Sequence, residues 1–376
     1  MKRVMIIAGE ASADLHAGKL VRHILSKTSD IEFFGIGGND MRNAGVKTLV
    51  DSAELAVVGL IEVLAHRKVI FGALHQMEDI LKTDPPDLLV LIDYPEFNLR
   101  LARTAKECNV KVLYYIGPQV WAWRQKRVEI IRQRVDMMAV VFPFEEAFYK
   151  KHNVPVEFVG HPLTDELIPV DNLDKVKTDF NLRKDKKTIG LFPGSRRSEI
   201  KRLLPIILSS AKMLNQRRTD IQFILPVAST LDENDIKEKL APYNLDIIVI
   251  KGKSHEVIQS CDVIITVSGT VTLEIALFGI PQVVINKVAW LTYYIVKPML
   301  KIPYIALCNI VAGKQIVPEL IQQNATPVKI VHEVERYLDE PVYINKTKQE
   351  LATIRSKLGS GAGIERIADL LVKMVT

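Results

Sequence analysis

A turn of small, hydroxyl-bearing residues stands where a predicted strand gives way to a predicted helix in the second half of the chain. Ser268, Gly269 and Thr270 interrupt the β-branched run Val263–Val267, and Glu274 follows one helical turn later. Free backbone N–H groups and the positive end of a helix suit such a turn to an anion, and the glutamate could reach a hydroxyl group beside a bound phosphate. The same residues also suit an ordinary capped helix, so this stretch alone leaves both interpretations open.

A basic turn follows another predicted strand, Thr188–Phe192. Gly194 would let the backbone come close to a ligand, and the guanidinium fork of Arg196 could bind a pair of phosphate oxygens.

A carboxylate, Asp93, stands at the carboxyl end of the apolar run Leu88–Ile92. Ligands of open α/β sheets bind beyond the carboxyl ends of the strands, and a carboxylate there can serve as a general base. The alternative is that Asp93 caps the next helix.

The first turn of the chain, Gly9–Asp14, also follows a predicted strand. It lacks the G-x-G-x-x-G pattern of dinucleotide sites and the Gly-Lys-Ser/Thr ending of a P-loop, so a nicotinamide or ATP site is not supported. The acidic Glu10 and Asp14 would repel phosphate and suit sugar hydroxyl groups better.

Two tryptophans lie beside three cations in one short block: Trp121, Trp123, Arg124, Lys126 and Arg127. This block could hold a sugar phosphate, stack on bases, meet a lipid surface, or simply begin a solvated helix. Apolar, cation-flanked segments at 55–77 and 290–312 could lie on a membrane or pack in the core.

Alternating strands and helices position these turns, and they predict an α/β fold of two Rossmann-like, doubly wound parallel-sheet domains facing a cleft. We place the first domain at residues 1–168 and the second at 169–345. A C-terminal helical segment, 346–376, could pack back on the first domain. The short stretch Pro318–Ile321 and the longer stretch Leu351–Val375 are both predicted to be helical.

The composition is that of a globular protein of 376 residues with a net charge of +6. The basic charge favours an anionic partner, but nucleic acid is not expected because no RNA-binding motif is present. The three cysteines are far apart and predict reduced thiols in a cytoplasmic protein. The sequence predicts neither a signal peptide nor a membrane-spanning segment.

Taken together, these motifs resemble those of bacterial lipid-A-disaccharide synthases over about residues 1–340. The resemblance rests on Gly9–Asp14, Ile92–Asn98, Val120–Arg127, Pro193–Arg196, Ser268–Thr270 with Glu274, and Asn309 followed by Ala312-Gly313. The tryptophan block is the most specific of these motifs. Ala13 departs from the glycine common in this family, and Cys308 departs from a common proline.

The resemblance implies the GT-B glycosyltransferase fold and one step of lipid A (lipopolysaccharide) biosynthesis in Gram-negative bacteria. In that step 2,3-diacylglucosamine passes from its UDP ester to 2,3-diacylglucosamine 1-phosphate, giving the β-1,6-linked disaccharide 1-phosphate and UDP. The resemblance also implies inversion at the anomeric carbon without a metal ion or cofactor. The absence of an Asp-x-Asp pair from the sequence fits that expectation.

The resemblance also implies roles for individual residues. Asp93 would be the general base, and the UDP-sugar would contact Arg196, Ser268, Gly269, Thr270, Glu274 and Asn309. The acceptor would contact Glu10, Ser12, Asp14, Trp123 and Arg124. We further expect peripheral association with the inner leaflet of the inner membrane, and a homodimer is compatible with the sequence.

Two rival functions remain open at this point. A UDP-N-acetylglucosamine 2-epimerase would share the fold but would not need the tryptophan block or the apolar segments. A nucleic-acid-binding or lipid-binding protein would use the basic charge but would release no UDP. Fold alone does not separate these alternatives.

Overall fold

A computed structural model describes residues 1–55, 67–228, 231–288, 301–359 and 361–376. Its first unit, Met1–Asp165 with Leu358–Thr376, contains a seven-stranded parallel sheet. The strand order is β3-β2-β1-β4-β5-β6-β7, so the order reverses between β1 and β4. The strands are β1 Lys2–Ala8, β2 Ile31–Gly37, β3 Lys47–Asp51, β4 Leu88–Ile92, β5 Lys111–Tyr115, β6 Met137–Val140 and β7 Val156–Phe158.

Helices connect these strands, as parallel pairing requires. They are α1 Ala11–Leu25, α2 Asn39–Asn43, α3 Ser52–Leu55, α4 Arg67–Thr83, α5 Pro95–Glu107, α6 Val120–Trp123, α7 Val128–Arg134, α8 Pro143–Lys151 and α9 Leu163–Glu166, with a 3₁₀ turn at Gln125–Arg127. The central strand β4 is buried along its whole length, which explains why it reads as an unbroken apolar run rather than an alternating one.

A six-stranded parallel sheet forms the second unit, Glu166–Lys357. Its order is β10-β9-β8-β11-β12-β13, with the reversal between β8 and β11. The strands are β8 Lys187–Phe192, β9 Ile221–Val227, β10 Ile247–Lys251, β11 Val263–Val267, β12 Gln282–Asn286 and β13 Glu319–Ile321.

The helices of the second unit are α10 Leu173–Asp179, α11 Arg197–Arg217, α12 Glu233–Leu240, α13 Ser254–Ser260, α14 Val271–Leu277, α15 Leu307–Ala312, α16 Pro327–Asp339 and α17 Pro341–Lys357, with 3₁₀ turns at Ala241–Tyr243 and Gln322–Asn324. Both faces of the sheet are covered: Ile265 belongs to one apolar cluster and its neighbour Ile264 to another, and both are fully buried. A doubly covered parallel sheet follows from the βαβ connections.

The last helix, α18 Gly363–Val375, returns to the first unit and packs against α1 and β5. Leu358 O accepts a hydrogen bond from His161 N at 3.0 Å, and Asp165 Oδ2 accepts one from Gly363 N at 3.0 Å. The chain therefore leaves the first unit and re-enters it at neighbouring places. The sequence-based boundary at 168/169 is near the first crossing, whereas the one at 345/346 falls inside α17.

The predicted fold class, two α/β domains built on parallel sheets, is confirmed by this topology. Two helix predictions are wrong in detail. The stretch Pro318–Ile321 contains the edge strand β13, which is set by its pairing with β12 rather than by local propensity. The stretch Leu351–Val375 is two helices, because the chain is interrupted at Gly359 and Gly361, which have φ of +97° and +87°.

Candidate active site

The carboxyl edge of the second sheet bears a cavity of about 530 Å³ at the point where the strand order reverses. The turns after β8 and β11 both line it, and so does the first turn of α14. The structure therefore brings together five of the six residues predicted to contact the UDP-sugar: Arg196, Ser268, Gly269, Thr270 and Glu274. This is the place where open α/β sheets bind ligands.

The turn after β8 needs a glycine. Gly194 has φ of +100°, and a Cβ at this position would overlap Oε2 of Glu199. The same oxygen accepts hydrogen bonds from the backbone N–H groups of Ser195 and Arg196, each at 3.2 Å. The Arg196 side chain is 73% exposed and its contact with Glu199 is long, at 3.4 Å, so the guanidinium can turn toward an anion in the cavity.

The turn after β11 is anchored at its first residue, and its next two residues are exposed. Ser268 Oγ donates to Ile305 O at 2.9 Å, which anchors the start of the turn. Gly269 and Thr270 are exposed, and a Cβ on Gly269 would meet nothing within 4 Å. Among the described residues, the N–H groups of Gly269 and Thr270 have no hydrogen-bond acceptor. Such N–H groups are what an anion needs.

Glu274 is paired at the cavity rim with a histidine, His255, that belongs to none of the motifs described above. Its Oε2 lies 3.3 Å from Nε2 of His255, whose ring also packs at 5.9 Å from the ring of Phe278. The hydrogen bond with Glu274 raises the pKa of His255 above its ordinary value, with burial acting in the opposite direction. The pair fixes the carboxylate at the edge of the cavity.

Asn309 does not line this cavity. It is fully buried, its Nδ2 donates to Val317 O and Glu319 Oε1, and its Oδ1 accepts from the N–H groups of Ile316 and Val317. Every one of these contacts is internal, so the predicted donor contact has no support in the geometry. Asn309 instead holds the segment that precedes β13, and Glu319 from that strand binds the N–H of Ile305 beside Ser268.

In the first unit, Asp93 stands at the corresponding switch point, between the ends of β1 and β4. Asp93 and Tyr94 both adopt left-handed conformations, with φ of +48° and +47°. The backbone O of Asp93 accepts hydrogen bonds from Asn98 Nδ2 at 2.6 Å and from the Tyr114 hydroxyl at 2.7 Å. Because Asn98 and Tyr114 are fully buried, they hold this strained turn in one conformation.

The carboxyl group of Asp93 is half-buried. Burial raises its pKa above the ordinary value, while the Tyr94 N–H and the charge of His16, on α1, lower it in part. The result is a carboxylate that binds a proton more readily than an exposed one, which is the property of a general base. The close approach of Tyr94 to β1 needs Gly9, because a Cβ there would lie 2.6 Å from Cδ1 of the tyrosine ring.

The acidic residues of the first turn differ from one another. Glu10 and Ser12 are exposed. Burial raises the pKa of Tyr94, and the charge of Glu10 raises it further. Asp14 is only 5% exposed, and its carboxylate accepts hydrogen bonds from the N–H groups of Gly38, Asp40 and Met41. The contacts of Asp14 are therefore those of a structural residue that holds the loop after β2.

The tryptophan block has one buried and one exposed tryptophan. Trp121 is buried, whereas Trp123 is 41% exposed, with the Arg124 guanidinium 4.1 Å from its ring centroid. Arg124 and Arg127 both pair with Glu96 of α5, at 3.4 and 2.6 Å. Since Glu96 is three residues beyond Asp93, these ion pairs bring the block to the helix that follows the predicted base.

A family model described as lipid-A-disaccharide synthetase matches residues 4–366 of the chain. The chain belongs to the lipid-A-disaccharide synthetase family. A lipid-A-disaccharide synthase from Geobacter metallireducens is 54% identical over 374 residues, which cover 100% of this chain and 97% of the relative. One from Nitrosococcus oceani is 49% identical, with 99% and 96% covered. Membership confirms the predictions of the family and of an enzyme of the glycosyltransferase class.

A solved structure of UDP-GlcNAc 2-epimerase from Neisseria meningitidis, bound to UDP-GlcNAc, matches with a TM-score of 0.68 at 13% identity. The match covers 99% of this chain and 100% of the other. At that identity the likeness shows the shared fold alone, so it gives the epimerase alternative no support beyond the fold.

Four described side chains interact with predicted site residues without having a role assigned from sequence: His16 and Glu96 in the first unit, and Glu199 and His255 in the second. Glu199 carries a local signal, because it stands three residues after the N-cap position of α11. The other three meet their partners from separate elements, and sequence spacing gives no sign of such contacts.

The described residues contain no group of three or more His, Cys, Asp or Glu side chains that could hold a metal ion. None of their helices is long and apolar enough to cross a membrane. The apolar segments at 55–77 and 290–312 lie partly outside the described residues, at 56–66 and 290–300.

Proposed function

We propose that this protein transfers 2,3-diacylglucosamine from its UDP ester to 2,3-diacylglucosamine 1-phosphate, with inversion and without a metal ion. The observation that carries the proposal is the match to the lipid-A-disaccharide synthetase family over residues 4–366. The geometry of each unit supports binding of UDP by the second unit and binding of the acceptor by the first.

The cavity between the turns after β8 and β11 supports the UDP site. We assign the phosphates to the open N–H groups of Gly269 and Thr270. Ser268 would hold this turn in place through the hydrogen bond from its hydroxyl to Ile305 O. The ribose hydroxyls would bind Glu274, which His255 holds in place at 3.3 Å. Arg196 would swing from its long contact with Glu199 to the pyrophosphate, where a guanidinium fork matches two phosphate oxygens.

In the first unit, we assign the role of general base to Asp93. Its carboxylate would take the proton of the acceptor 6-hydroxyl as that oxygen attacks the anomeric carbon of the donor. The bond from that carbon to the UDP oxygen breaks on the opposite face, which inverts the centre. Negative charge then gathers on the leaving UDP, where Arg196 and the backbone amides would stabilise it.

Residues on the acceptor side would be Glu10, Ser12, Trp123 and Arg124. The exposed Trp123 ring offers an apolar face for a sugar, and Arg124 beside it offers charge for the 1-phosphate. For Asp14 we propose an indirect role, because its carboxylate is already bound to three backbone amides.

We also propose peripheral binding to the inner leaflet, with no nucleic acid as partner. On helix α4, Val69 and Phe71 are 39% and 37% exposed, and Arg100 lies 5.6 Å from the Phe71 ring centroid. Exposed apolar side chains beside cations suit an anionic lipid surface. A cytoplasmic location and a homodimer stay predictions.

The decisive experiment is mass spectrometry of the products formed from UDP-2,3-diacylglucosamine. With the 1-phosphate acceptor present and EDTA added, we expect a disaccharide 1-phosphate and an equal amount of UDP. Without acceptor we expect the donor unchanged. A parallel incubation contains UDP-N-acetylglucosamine alone. Its conversion to the 2-epimer would instead support the epimerase alternative. Loss of activity in EDTA that added Mg²⁺ restores would contradict metal independence.

A further inference from the structure

Behind the tryptophan block, one buried acid takes no part in the mechanism described above. Glu145, in the first turn of α8, is 3% exposed. Its Oε1 accepts a hydrogen bond from the indole Nε1 of Trp121 at 3.0 Å, and its Oε2 accepts one from the N–H of Phe142 at 3.1 Å. One carboxylate therefore caps the start of α8 and holds Trp121 in place.

Both oxygens of Glu145 act as acceptors, which only the ionised form allows in full. Among the described residues no cation pairs with this side chain, and the titratable group facing it is the Tyr149 phenol on the same helix. Burial raises the pKa of Glu145 to about 7, with the Phe142 N–H and the Trp121 indole lowering it in part. Protonation would place a hydrogen on one oxygen and weaken one of the two contacts.

Contacts of Trp121 connect Glu145 to the exposed part of the tryptophan block. Its ring packs edge-on against Phe144 at 4.7 Å, and its backbone O accepts a hydrogen bond from Gln125 Nε2 at 3.1 Å. Trp123 and Arg124 follow within the same short segment and reach the surface. The indole is thus the buried end of a segment whose other end is exposed.

We propose that Glu145 is a positioning residue for the acceptor, acting through the indole N–H of Trp121 on the segment that carries Trp123 and Arg124. This inference rests on the proposed function for its link to the acceptor. The link between Glu145 and Trp121 does not depend on that function, and the two parts can be tested separately.

The first test reads Trp121 directly. In a Trp123→Phe/Trp290→Phe background, Trp121 is the one remaining tryptophan, since the chain has three; Trp290 lies outside the described residues. We expect its fluorescence to titrate with a midpoint near 7, and Glu145→Gln to abolish that titration. Glu146→Gln is the matched control, because Glu146 is a neighbouring acid that pairs with Lys150 at 2.9 Å. A titration unchanged by Glu145→Gln would overturn the proposal.

The second test measures steady-state kinetics on the full-length protein. Glu145→Gln can satisfy only one of the two donors, so we expect the acceptor KM to rise roughly tenfold with little change in UDP affinity. Trp121→Phe removes the indole N–H and should give a similar rise, and the double variant should be no worse than either single one.

Equal losses of acceptor and UDP binding in Glu145→Gln would show a merely structural role, and additive effects in the double variant would show independent ones. Either result would overturn the proposal. If wild-type protein formed no disaccharide at all, the proposed function would fail, while the fluorescence titration would still report on the contact between Glu145 and Trp121.

Discussion

Asp93 combines a strained backbone with a half-buried carboxylate at the end of β4. Left-handed φ values at two successive residues with side chains cost on the order of 1–3 kcal/mol each, and such strain gathers at functional sites. Here the buried Asn98 and Tyr114 hold the turn through its carbonyl group, so the carboxylate itself stays available for chemistry.

Replacing Asp93 by Asn should preserve the fold and remove the base. We expect turnover to fall by roughly 10²–10⁴, because this is the usual contribution of a general base, with UDP binding retained. The measurement is the rate of UDP release under saturating substrates. Asp79→Asn, at an exposed position on α4, is a control that should keep full activity. Wild-type turnover in the Asp93 variant would contradict the assignment.

Titration of Glu145 should also make the free energy of unfolding depend on pH. Its folded pKa of about 7 lies above the ordinary 4.5, so the carboxyl group of Glu145 binds a proton more tightly in the folded state than in the unfolded state. The associated stabilisation is fully present below about pH 4.5 and is lost as the pH rises through 7, a change of about 3 kcal/mol.

Glu145→Gln lacks this titration. We therefore expect the melting temperature of the Gln variant, relative to wild type, to be higher at pH 8 than at pH 5. Differential scanning calorimetry at the two pH values measures the effect. A difference that stays constant with pH would mean that Glu145 does not titrate in this range.

At the scale of elements, the two turns of the second unit use glycine for different reasons. Gly194 is required by the fold, because φ of +100° and the nearness of Glu199 leave no room for a side chain. Gly269 meets nothing within 4 Å of a Cβ, so the fold itself would accept alanine there. A ligand that approaches the backbone would not.

Gly269→Ala therefore separates folding from binding. We expect an unchanged melting temperature and roughly tenfold weaker binding of UDP by isothermal titration calorimetry, since the methyl group would stand where phosphate approaches the N–H groups. Gly72→Ala, in helix α4 with nothing within 4 Å, is the control. If UDP binds both variants like wild type, the phosphates do not sit on this turn.

Much of this arrangement could be predicted from the sequence, because it depends on local patterns. Short apolar runs followed by Asp, Ser-Gly or Pro-Gly mark the carboxyl ends of strands, and this pattern places Asp93, Ser268 and Arg196 at sheet edges. That Arg196 and Ser268 line one cavity then follows from strand order.

Other features depend on contacts between distant elements and could not be predicted. The sequence predicts that Asn309 and Asp14 contact ligands. In the structure, the side-chain oxygens of both residues accept hydrogen bonds from backbone N–H groups of the protein itself. Glu145 is 24 residues from Trp121 in sequence, and its burial depends on how α8 packs. A polar residue near a turn has the same local sequence whether it faces solvent, a ligand or a buried amide.

At the scale of the whole molecule, the basic charge and the exposed apolar side chains of α4 predict lipid binding without insertion. We expect the protein to float with vesicles that contain anionic phospholipid at low salt and to be released at high salt, because the attraction is screened. Phe71→Ser should weaken flotation several-fold. Protein that stays wholly unbound at low salt would contradict peripheral binding.

Removal of Leu358–Thr376 should damage the first unit while sparing the second. Ile367 and Leu371 of α18 are fully buried, and Arg366 Nε donates to Val159 O at 2.8 Å. Hydrogen exchange should show fast exchange in β1 and β5 of the truncated chain and unchanged protection in β8 and β11. Glu365→Gln, which removes only an exposed pair with Lys27, should leave both units protected.

Because α18 returns to the first unit, the two units are completed in a fixed order during synthesis. The second unit is one uninterrupted stretch of chain, Glu166–Lys357, and can form as soon as it emerges. The first unit is begun before the second and completed after it, since its helix α18 follows the second unit in the chain. At roughly 5–20 residues per second, the surfaces of α1 and β5 that α18 covers stay exposed for about ten to forty seconds. The nascent chain therefore carries an unfinished domain while the second unit is synthesised, and we expect chaperones that recognise exposed apolar segments to bind there.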